Sequence, residues 1–201
     1  HVATPCLRSG IDARLAEERT AAAGTKVTVD SSSGATGAAG RRGRWPYTLI
    51  SMLTIHGVDQ LRSKVGQHLG TSDWHTVTQD HIAAFANATG DHEPIHLDPE
   101  RAAQTPFGVP IAHGLYTLSL GPKLINEIFV MRGHSLALNY GYDRVRFTSP
   151  VKVNSRVRMS LRLLSVDDIP GGAKFRFEQV FEIDGEAKPA CVAEAIIAYF
   201  P

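Results

Sequence analysis

The chain has 201 residues, of which 43% are hydrophobic and 20% charged, and its formal net charge is +1. This length suits one domain, or one domain with a tail, and the composition is that of an ordinary globular protein that needs no disulfide or metal to fold. The charge excludes a strongly basic nucleic-acid binder, and the sequence lacks an apolar stretch of membrane-spanning length. Cys6 and Cys191 stand far apart in the sequence, which favours a reducing compartment, and we expect a cytoplasmic location.

Residues 1–50 differ in composition from the rest of the chain. Residues 1–55 carry seven Lys/Arg and four Asp/Glu, whereas residues 56–201 carry fourteen and sixteen. Ser, Gly, Ala and Thr dominate residues 25–43, which leaves little to fill a core. We predict a disordered or non-native leader at 1–50 and one globular domain at 55–201.

The first predicted helix follows Thr78, which can cap a helix start. Asp80 falls in its first turn, where a negative charge is favourable, and Ile82 and Phe85 belong to a narrow apolar face. Gly90 supplies the signal for its end.

Two further helices are predicted downstream. Asp98 followed by Pro99 is a second start signal, with Asp as the cap and Pro at the first helical position. A third helix is expected from about residue 112 to 129, kinked by Pro122. It is apolar on most of its faces, which indicates a central core helix. The residues expected to be buried on it are Leu115, Leu118, Leu124, Ile125 and Ile128.

After Gly133 the apolar residues repeat every second position, which is typical of strands with one solvated face. The first such row is Val157, Met159, Leu161 and Leu163, and the second is Phe175, Phe177, Phe181 and Ile183. Turn signals follow at 170–172 and 184–185, and the apolar run 190–200 suits a central strand. Helices followed by an antiparallel meander predict an α+β fold.

Asp91 and His96 form a candidate acid/base pair. On a continuous helix their spacing would place them on different faces, but Gly90 and Pro94 interrupt helical structure on either side of Asp91. The segment can therefore curl and direct a carboxylate and an imidazole at one spot. The alternative is an ordinary polar loop in which Asp91 only ends a turn.

A second candidate segment, residues 110–115, stands at the start of the predicted core helix. Unpaired N–H groups at a helix start attract negative charge, and glycine allows close approach of a ligand. The Gly114 N–H can thus polarise a carbonyl oxygen. The alternative is a plain helix start with His113 as a buried structural histidine.

Together these segments resemble a known family. The run 85–98, followed by Pro106-Phe107-Gly108 and Ile111-Ala112-His113-Gly114, is similar to the hydratase-2 motif of MaoC-like dehydratases, the (R)-specific enoyl-CoA hydratases. The run 139–147 resembles the branch that includes nodulation protein N-like members. The likeness covers roughly residues 60–200.

The resemblance implies a single hot dog domain, an antiparallel sheet wrapped around a long central helix, in a homodimer with sites at the subunit interface. It implies that Asp91 and His96 activate water and that the Gly114 N–H polarises the thioester carbonyl. The expected reaction is (R)-specific hydration of a trans-2-enoyl thioester, or the reverse dehydration, without a metal or cofactor, because CoA belongs to the substrate. Glu93 departs from the usual pattern, which has Asn there, and adds a carboxylate beside the pair.

His113, Arg144 and Arg146 are the residues predicted to contact the substrate, the two arginines because CoA phosphates need cations and both lie in the matching run. The expected partner is an acyl-CoA or acyl-carrier thioester, with no nucleic acid and no membrane. Two other functions stay open. A hot dog thioesterase would need a carboxylate on the core helix, where Glu127 lies far from Gly114. A non-catalytic acyl-binding module, or one subunit of a larger dehydratase, would bind thioesters without turning them over.

Overall fold

A computed structural model describes residues 52–201 of the chain, so the predicted leader at 1–50 lies outside the described residues. The elements run in the order β1 (Leu53–His56), α1 (Gly57–Arg62), β2 (His68–Thr71), β3 (His75–Thr76), α2 (Gln79–Thr89), α3 (Pro94–Leu97), α4 (Pro99–Ala103), α5 (Gly114–Ser119), α6 (Gly121–Ile128), β4 (Phe129–Arg132), β5 (Leu136–Phe147), β6 (Arg156–Ile169), β7 (Gly172–Ile183) and β8 (Cys191–Phe200).

An antiparallel sheet holds the core. Its strands lie in the order β2-β6-β7-β8-β5, with β3 also paired to β6, and β1 and β4 form a separate parallel pair. Every residue of the two predicted apolar rows faces the core and is almost fully buried. The predicted last strand, β8, lies inside the sheet between β7 and β5. The helices α5 and α6 pack on this sheet, against β8 and β6 respectively, which confirms the predicted α+β class.

The predicted helix caps are present. The Thr78 hydroxyl accepts a hydrogen bond from the His81 N–H at 3.2 Å, and Gly90 ends α2 with φ at 78°, a left-handed conformation that favours glycine. The Asp98 carboxylate accepts from the N–H groups of Glu100 and Arg101 at the start of α4. These caps fix where the chain leaves α2 and where it enters α4, on either side of Asp91 and His96.

The core helix differs from its prediction. It begins at Gly114 rather than 112, and it is divided at Leu120 into α5 and α6 because Pro122, in the first turn of α6, has no N–H to donate to the preceding turn. Four of the five expected residues are buried, but the prediction for Leu115 is wrong, since 61% of it is exposed. Helical side chains tilt towards the helix start, so Leu115 in the first turn extends past the part of the helix that the sheet covers.

Strand β5 is not marked by alternation in the sequence. It pairs only with β8 among the described residues, and most of its positions are exposed on both faces. An edge strand of this kind has little reason to alternate apolar and polar residues. Among the helices between Met52 and Pro201, none has the length and apolar character needed to cross a membrane.

Candidate active site

The segment after α2 carries the predicted acid/base pair. Gly90 ends α2, and the chain is irregular until α3 begins at Pro94, so Asp91 and His96 lie on different local elements. The Gln79 side-chain amide donates to the His96 carbonyl at 2.9 Å and joins α2 to α3. The Ile111 N–H donates to the Ile95 carbonyl at 3.1 Å. These bonds hold α3 against both the helix before it and the strand-like segment that leads to Gly114.

The His96 imidazole is buried and held in one tautomer. Its Nδ1 lies 2.7 Å from the Ile111 carbonyl oxygen. A carbonyl oxygen only accepts hydrogen bonds, so Nδ1 carries the proton and donates it, which leaves the Nε2 lone pair of the neutral ring free. His96 lines a cavity of about 280 Å³. His96 therefore combines an Nε2 acceptor with a place in the wall of that cavity.

His113 connects the two halves of the site. It directly precedes α5, is almost fully buried, and its ring stacks on that of His96 with centroids 3.8 Å apart. Its Nε2 lies 3.0 Å from the Asp91 backbone carbonyl and therefore donates to it. The same nitrogen lies 4.0 Å from Asp91 Oδ2. His113 thus fixes the position of Asp91 relative to the His96 ring.

Asp91, His96 and His113 come together as the sequence predicts for the first two. One side-chain ligand atom from each lies within 4.8 Å of the others, and the Asp91 side chain is half exposed. Two imidazoles and a carboxylate are also groups that bind zinc. The two imidazole rings stack at an interplanar angle of 30°, however, and His96 Nδ1 and His113 Nε2 are already committed to backbone carbonyl oxygens. The arrangement fits proton transfer better than metal binding.

Gly114 lies at the mouth of the same cavity. It is the first residue of α5, and it lines the cavity together with His96, Thr117 and Phe147. A Cβ on Gly114 would come within 2.8 Å of the Phe147 ring, so any other residue there must displace that ring or the helix start. An N–H at this end of a helix has no partner within the helix, which makes it available to a carbonyl oxygen in the cavity.

The other predicted residues lie outside this group. Arg144 is largely exposed and sits 3.4 Å from Glu194, and Arg146 is exposed next to Phe147. Glu93 is exposed and not part of the three-residue group. Glu127, the carboxylate a thioesterase would use, lies near the end of α6, in a different helix from Gly114, and does not line the cavity.

Comparison with known proteins decides the family. The profile of the "MaoC like domain" matches residues 60–177, more than half of the chain. The chain belongs to the MaoC-like dehydratase family. This MaoC-like dehydratase is 48% identical over 149 residues to the 3-hydroxyacyl-thioester dehydratase Z of Mycobacterium tuberculosis, an alignment that covers 74% of this chain and 99% of the relative.

Two further relatives agree. Nodulation protein N of Rhizobium leguminosarum bv. viciae is 46% identical over 138 residues, or 67% of this chain and 85% of the relative. The solved structure of the (R)-hydratase from A. caviae involved in PHA biosynthesis superposes with a TM-score of 0.55 at 27% identity, covering 66% of this chain and 94% of that one. The MaoC-like dehydratase is thus an enzyme, a hydro-lyase with the hot dog fold, and the predicted family, fold and reaction class are confirmed.

Sequence reasoning missed part of the site of this MaoC-like dehydratase. Phe107, Phe147 and Ala190 line the cavity with His96, yet they come from three segments far apart in the chain. The stacking of His96 on His113 was equally invisible, because nothing in the spacing of two histidines on separate elements predicts ring contact. For Phe107 and Phe147 the only signal was their place in the runs that resemble the family, whereas Gly114 was indicated by its own residue type at a helix start.

Proposed function

We propose that this protein catalyses the (R)-specific hydration of trans-2-enoyl thioesters to 3-hydroxyacyl thioesters, and the reverse dehydration, with Asp91 and His96 as the acid/base pair. The observations that carry the proposal are that these two side chains converge with His113 and that His96 lines a cavity which also receives the start of α5. The names of the relatives, a 3-hydroxyacyl-thioester dehydratase and an (R)-hydratase, support the substrate class and the stereochemistry.

The reaction is a conjugate addition in which both reacting carbons change. The thioester carbonyl withdraws electrons from the double bond, so carbon 3 is attacked by water while the electron pair moves towards the thioester oxygen. Water loses one proton as its oxygen bonds to carbon 3, and carbon 2 gains a proton. The site must therefore accept a proton, supply a proton and stabilise charge on an oxygen.

His96 and Asp91 divide the proton transfers. His96 Nε2 has a free lone pair because Nδ1 is committed to the Ile111 carbonyl, so Nε2 is the atom that accepts the water proton. The half-exposed Asp91 carboxylate holds the water, receives the proton that His96 has taken from it and delivers that proton to carbon 2, so both groups end in the state in which they began. Because a base in the forward direction is an acid in the reverse direction, the same pair serves dehydration.

The Gly114 N–H is proposed to stabilise the developing oxyanion. A fixed donor at the position where charge appears contributes most in a site that excludes water. The Gly114 position and the His96 ring line the same cavity, so the thioester carbonyl and carbon 3 fit between them. His113, which the sequence assigns to substrate contact, is better placed to position Asp91 and His96.

CoA phosphates are proposed to meet Arg144 and Arg146 outside the cavity. Both guanidinium groups are solvent-accessible, and Arg146 adjoins Phe147, which lines the cavity. Arg144 is already near Glu194, which reduces the charge it can offer. Arg146 is thus the stronger candidate of the two.

The function is tested with purified full-length protein and crotonyl-CoA, by following the loss of the conjugated thioester absorbance. We expect Asp91→Asn and His96→Gln each to lower kcat/KM by about 10²- to 10⁴-fold, because each removes a proton-transfer group. Glu93→Gln is the matched control, a nearby exposed carboxylate outside the group, and it should retain most of the activity.

Three outcomes separate the alternatives. Full activity in Asp91→Asn and His96→Gln would show that other residues carry the chemistry. Thioester binding with no change in enoyl absorbance in the unmodified protein would favour the acyl-binding module. Release of free CoA thiol instead of hydration would favour a thioesterase.

We also propose that the enzyme works as a homodimer joined along β5, in the cytoplasm. The support is that β5 is an edge strand with exposed apolar residues, among them Leu138, Tyr140 and Phe147. Uncovered strand edges with apolar side chains favour pairing with another chain. Sedimentation of the full chain as a dimer, and as a monomer after Leu138→Lys, is the expected result.

A further inference from the structure

A second cavity lies farther along the core helix, beside α6, than the cavity at Gly114 beside α5. It has a volume of about 270 Å³ and is enclosed by α6, β5, β7 and β8. The first cavity touches the end of β5 at Phe147 and the start of α5, whereas the second touches the start of β5 and the middle of α6. Both cavities therefore lie on the β5 side of the helix pair, with no lining residue in common, and we call this strip between the helices and β5 the groove.

The floor of the second cavity holds an unusual side chain. Gln179 of β7 falls in the core-facing row with Phe175, Phe177, Phe181 and Ile183, and it is the polar member of that row. It is 1% exposed, and its Oε1 makes no hydrogen bond among the described residues. A buried amide oxygen without a protein partner is costly, so water or a ligand in the cavity has to complete it.

The helix leaves room for this amide. A Cβ on Gly121 would lie 3.2 Å from both the Nε2 and the Oε1 of Gln179, so the amide packs against the bare Cα of the helix. Gly114 and Gly121 are seven residues apart along the helix pair, which places the amide roughly 10 Å along the groove from the proposed thioester position. The amide is thus at a depth that the tail of an acyl chain reaches.

The remaining lining specifies the kind of group that fits. Within the described part of the chain, every residue that lines this cavity is uncharged, so a charged tail would lack a partner. Burial raises the pKa of Tyr142 and raises the pKa of Tyr199 to about 12, so both phenols stay neutral. The amides of Asn126 and Asn139 line the same cavity. The surroundings suit an apolar chain that carries one neutral oxygen group.

We propose that the second cavity binds the distal part of the acyl chain and selects thioesters with a neutral oxygen function, a hydroxyl or a carbonyl, that hydrogen-bonds Gln179. A hydroxyl donates to Oε1 and a carbonyl accepts from Nε2. A plain alkyl chain of the same length would instead cover the amide and leave it unpaired. The proposal rests on the proposed function, since it assumes that the acyl thioester lies in the first cavity.

The test compares the affinities of saturated acyl-CoAs, which bind without turnover. Calorimetry on the full-length protein measures Kd for octanoyl-, decanoyl- and dodecanoyl-CoA and for each analogue hydroxylated at the terminal carbon. We expect the best hydroxylated analogue to bind about three- to tenfold more tightly than its plain counterpart. In Gln179→Met, which keeps a similar shape without the amide, the plain chain should bind as tightly or more tightly.

Two controls make the result decisive. Gln67→Met changes an exposed glutamine outside both cavities and should keep the original preference. Gly121→Ala presses on the Gln179 amide and should reduce the preference even if Gln179→Met fails to fold.

Hydration of crotonyl-CoA, whose short tail does not reach Gln179, reports separately on the proposed function. Equal affinities for hydroxylated and plain chains at every length, or a preference that persists in Gln179→Met, would overturn the inference. A preference that depends on Gln179 without any crotonyl-CoA hydration would instead reject the hydratase function and keep the binding site.

Discussion

Gly114 is the residue at which packing and catalysis depend on the same few atoms. The Phe147 ring covers its Cα, and the atoms that an added Cβ would meet belong to the body of the ring rather than to a flexible end. Phe147 is itself about half exposed, so it has room to move outward. A side chain at Gly114 therefore displaces either the ring or the start of α5.

We expect Gly114→Ala to lower kcat/KM for crotonyl-CoA by about tenfold to a hundredfold, because the displaced N–H no longer faces the oxyanion. Steady-state hydration kinetics measure the loss. In the Phe147→Ala background the added methyl group has space, so Gly114→Ala should cost much less there. Losses that simply add in the double variant would show that the ring contact is not the cause.

At the scale of elements, Gly90 determines how the chain leaves α2 for Asp91. Its φ of 78° is a conformation in which a side chain is strained, yet a Cβ there would meet nothing within 4 Å. A substitution at Gly90 therefore lowers the stability of the fold only through the strained backbone conformation, not through a steric clash.

Gly90→Ala should lower the free energy of unfolding by about 1 kcal/mol, since alanine resists the left-handed conformation. Urea denaturation of the full chain measures the change. Gly90→Asn is the matched comparison, because asparagine tolerates this conformation better, and it should lose less. Equal losses in the two variants would mean that the backbone conformation is not what the position requires.

The elements also show how far sequence reasoning extends. Caps at Thr78, Gly90 and Asp98 have local chemistry, so α2 and α4 are predictable, and one-sided burial makes β6 and β7 predictable from alternation. Strand β5 is not, because an edge exposed on both faces has no alternation to detect.

The rest of the site could not be predicted from the sequence, because it depends on contacts between distant segments. Two helix breakers close together reveal Asp91 and His96, whereas the His96–His113 stacking depends on how α3 meets α5. The prediction fails at Leu115 because periodicity does not reveal where the sheet stops covering a helix. Gln179 is visible in the sequence as a polar residue in an apolar row, but only the structure shows that it lines a cavity and can contact a ligand there.

For the molecule as a whole, His75 makes stability depend on pH. Its Nε2 lies 3.0 Å from the Tyr116 hydroxyl and so ties β3 to α5, and it faces His81, Lys123 and Glu127. Burial, followed by the charges of Lys123 and His81, lowers the pKa of His75 below its ordinary 6.5. The unfolded chain therefore binds the proton more tightly than the folded one does.

The His75 contribution is present above pH 6.5 and is lost as the pH falls through the lowered pKa of the folded state. Urea unfolding at about pH 7.5 and about pH 5.5 should show a smaller loss of stability on acidification in His75→Gln than in the unmodified protein. An equal loss in both proteins would assign the acid sensitivity to other histidines.

Strand β7 pairs with β6 on one side and β8 on the other along most of its length, whereas β5 pairs only with β8 among the described residues. In hydrogen–deuterium exchange, the amides around Gln179 should thus be released only when the whole domain opens, and in the monomeric Leu138→Lys variant those on the free side of β5 should exchange early. The β7 floor of the groove is therefore the rigid part, and β5 is the part whose position depends on what packs against its outer edge. In the dimer joined along β5 the partner holds that wall in place, so dissociation should loosen the grip on the acyl chain while Gln179 stays where it is.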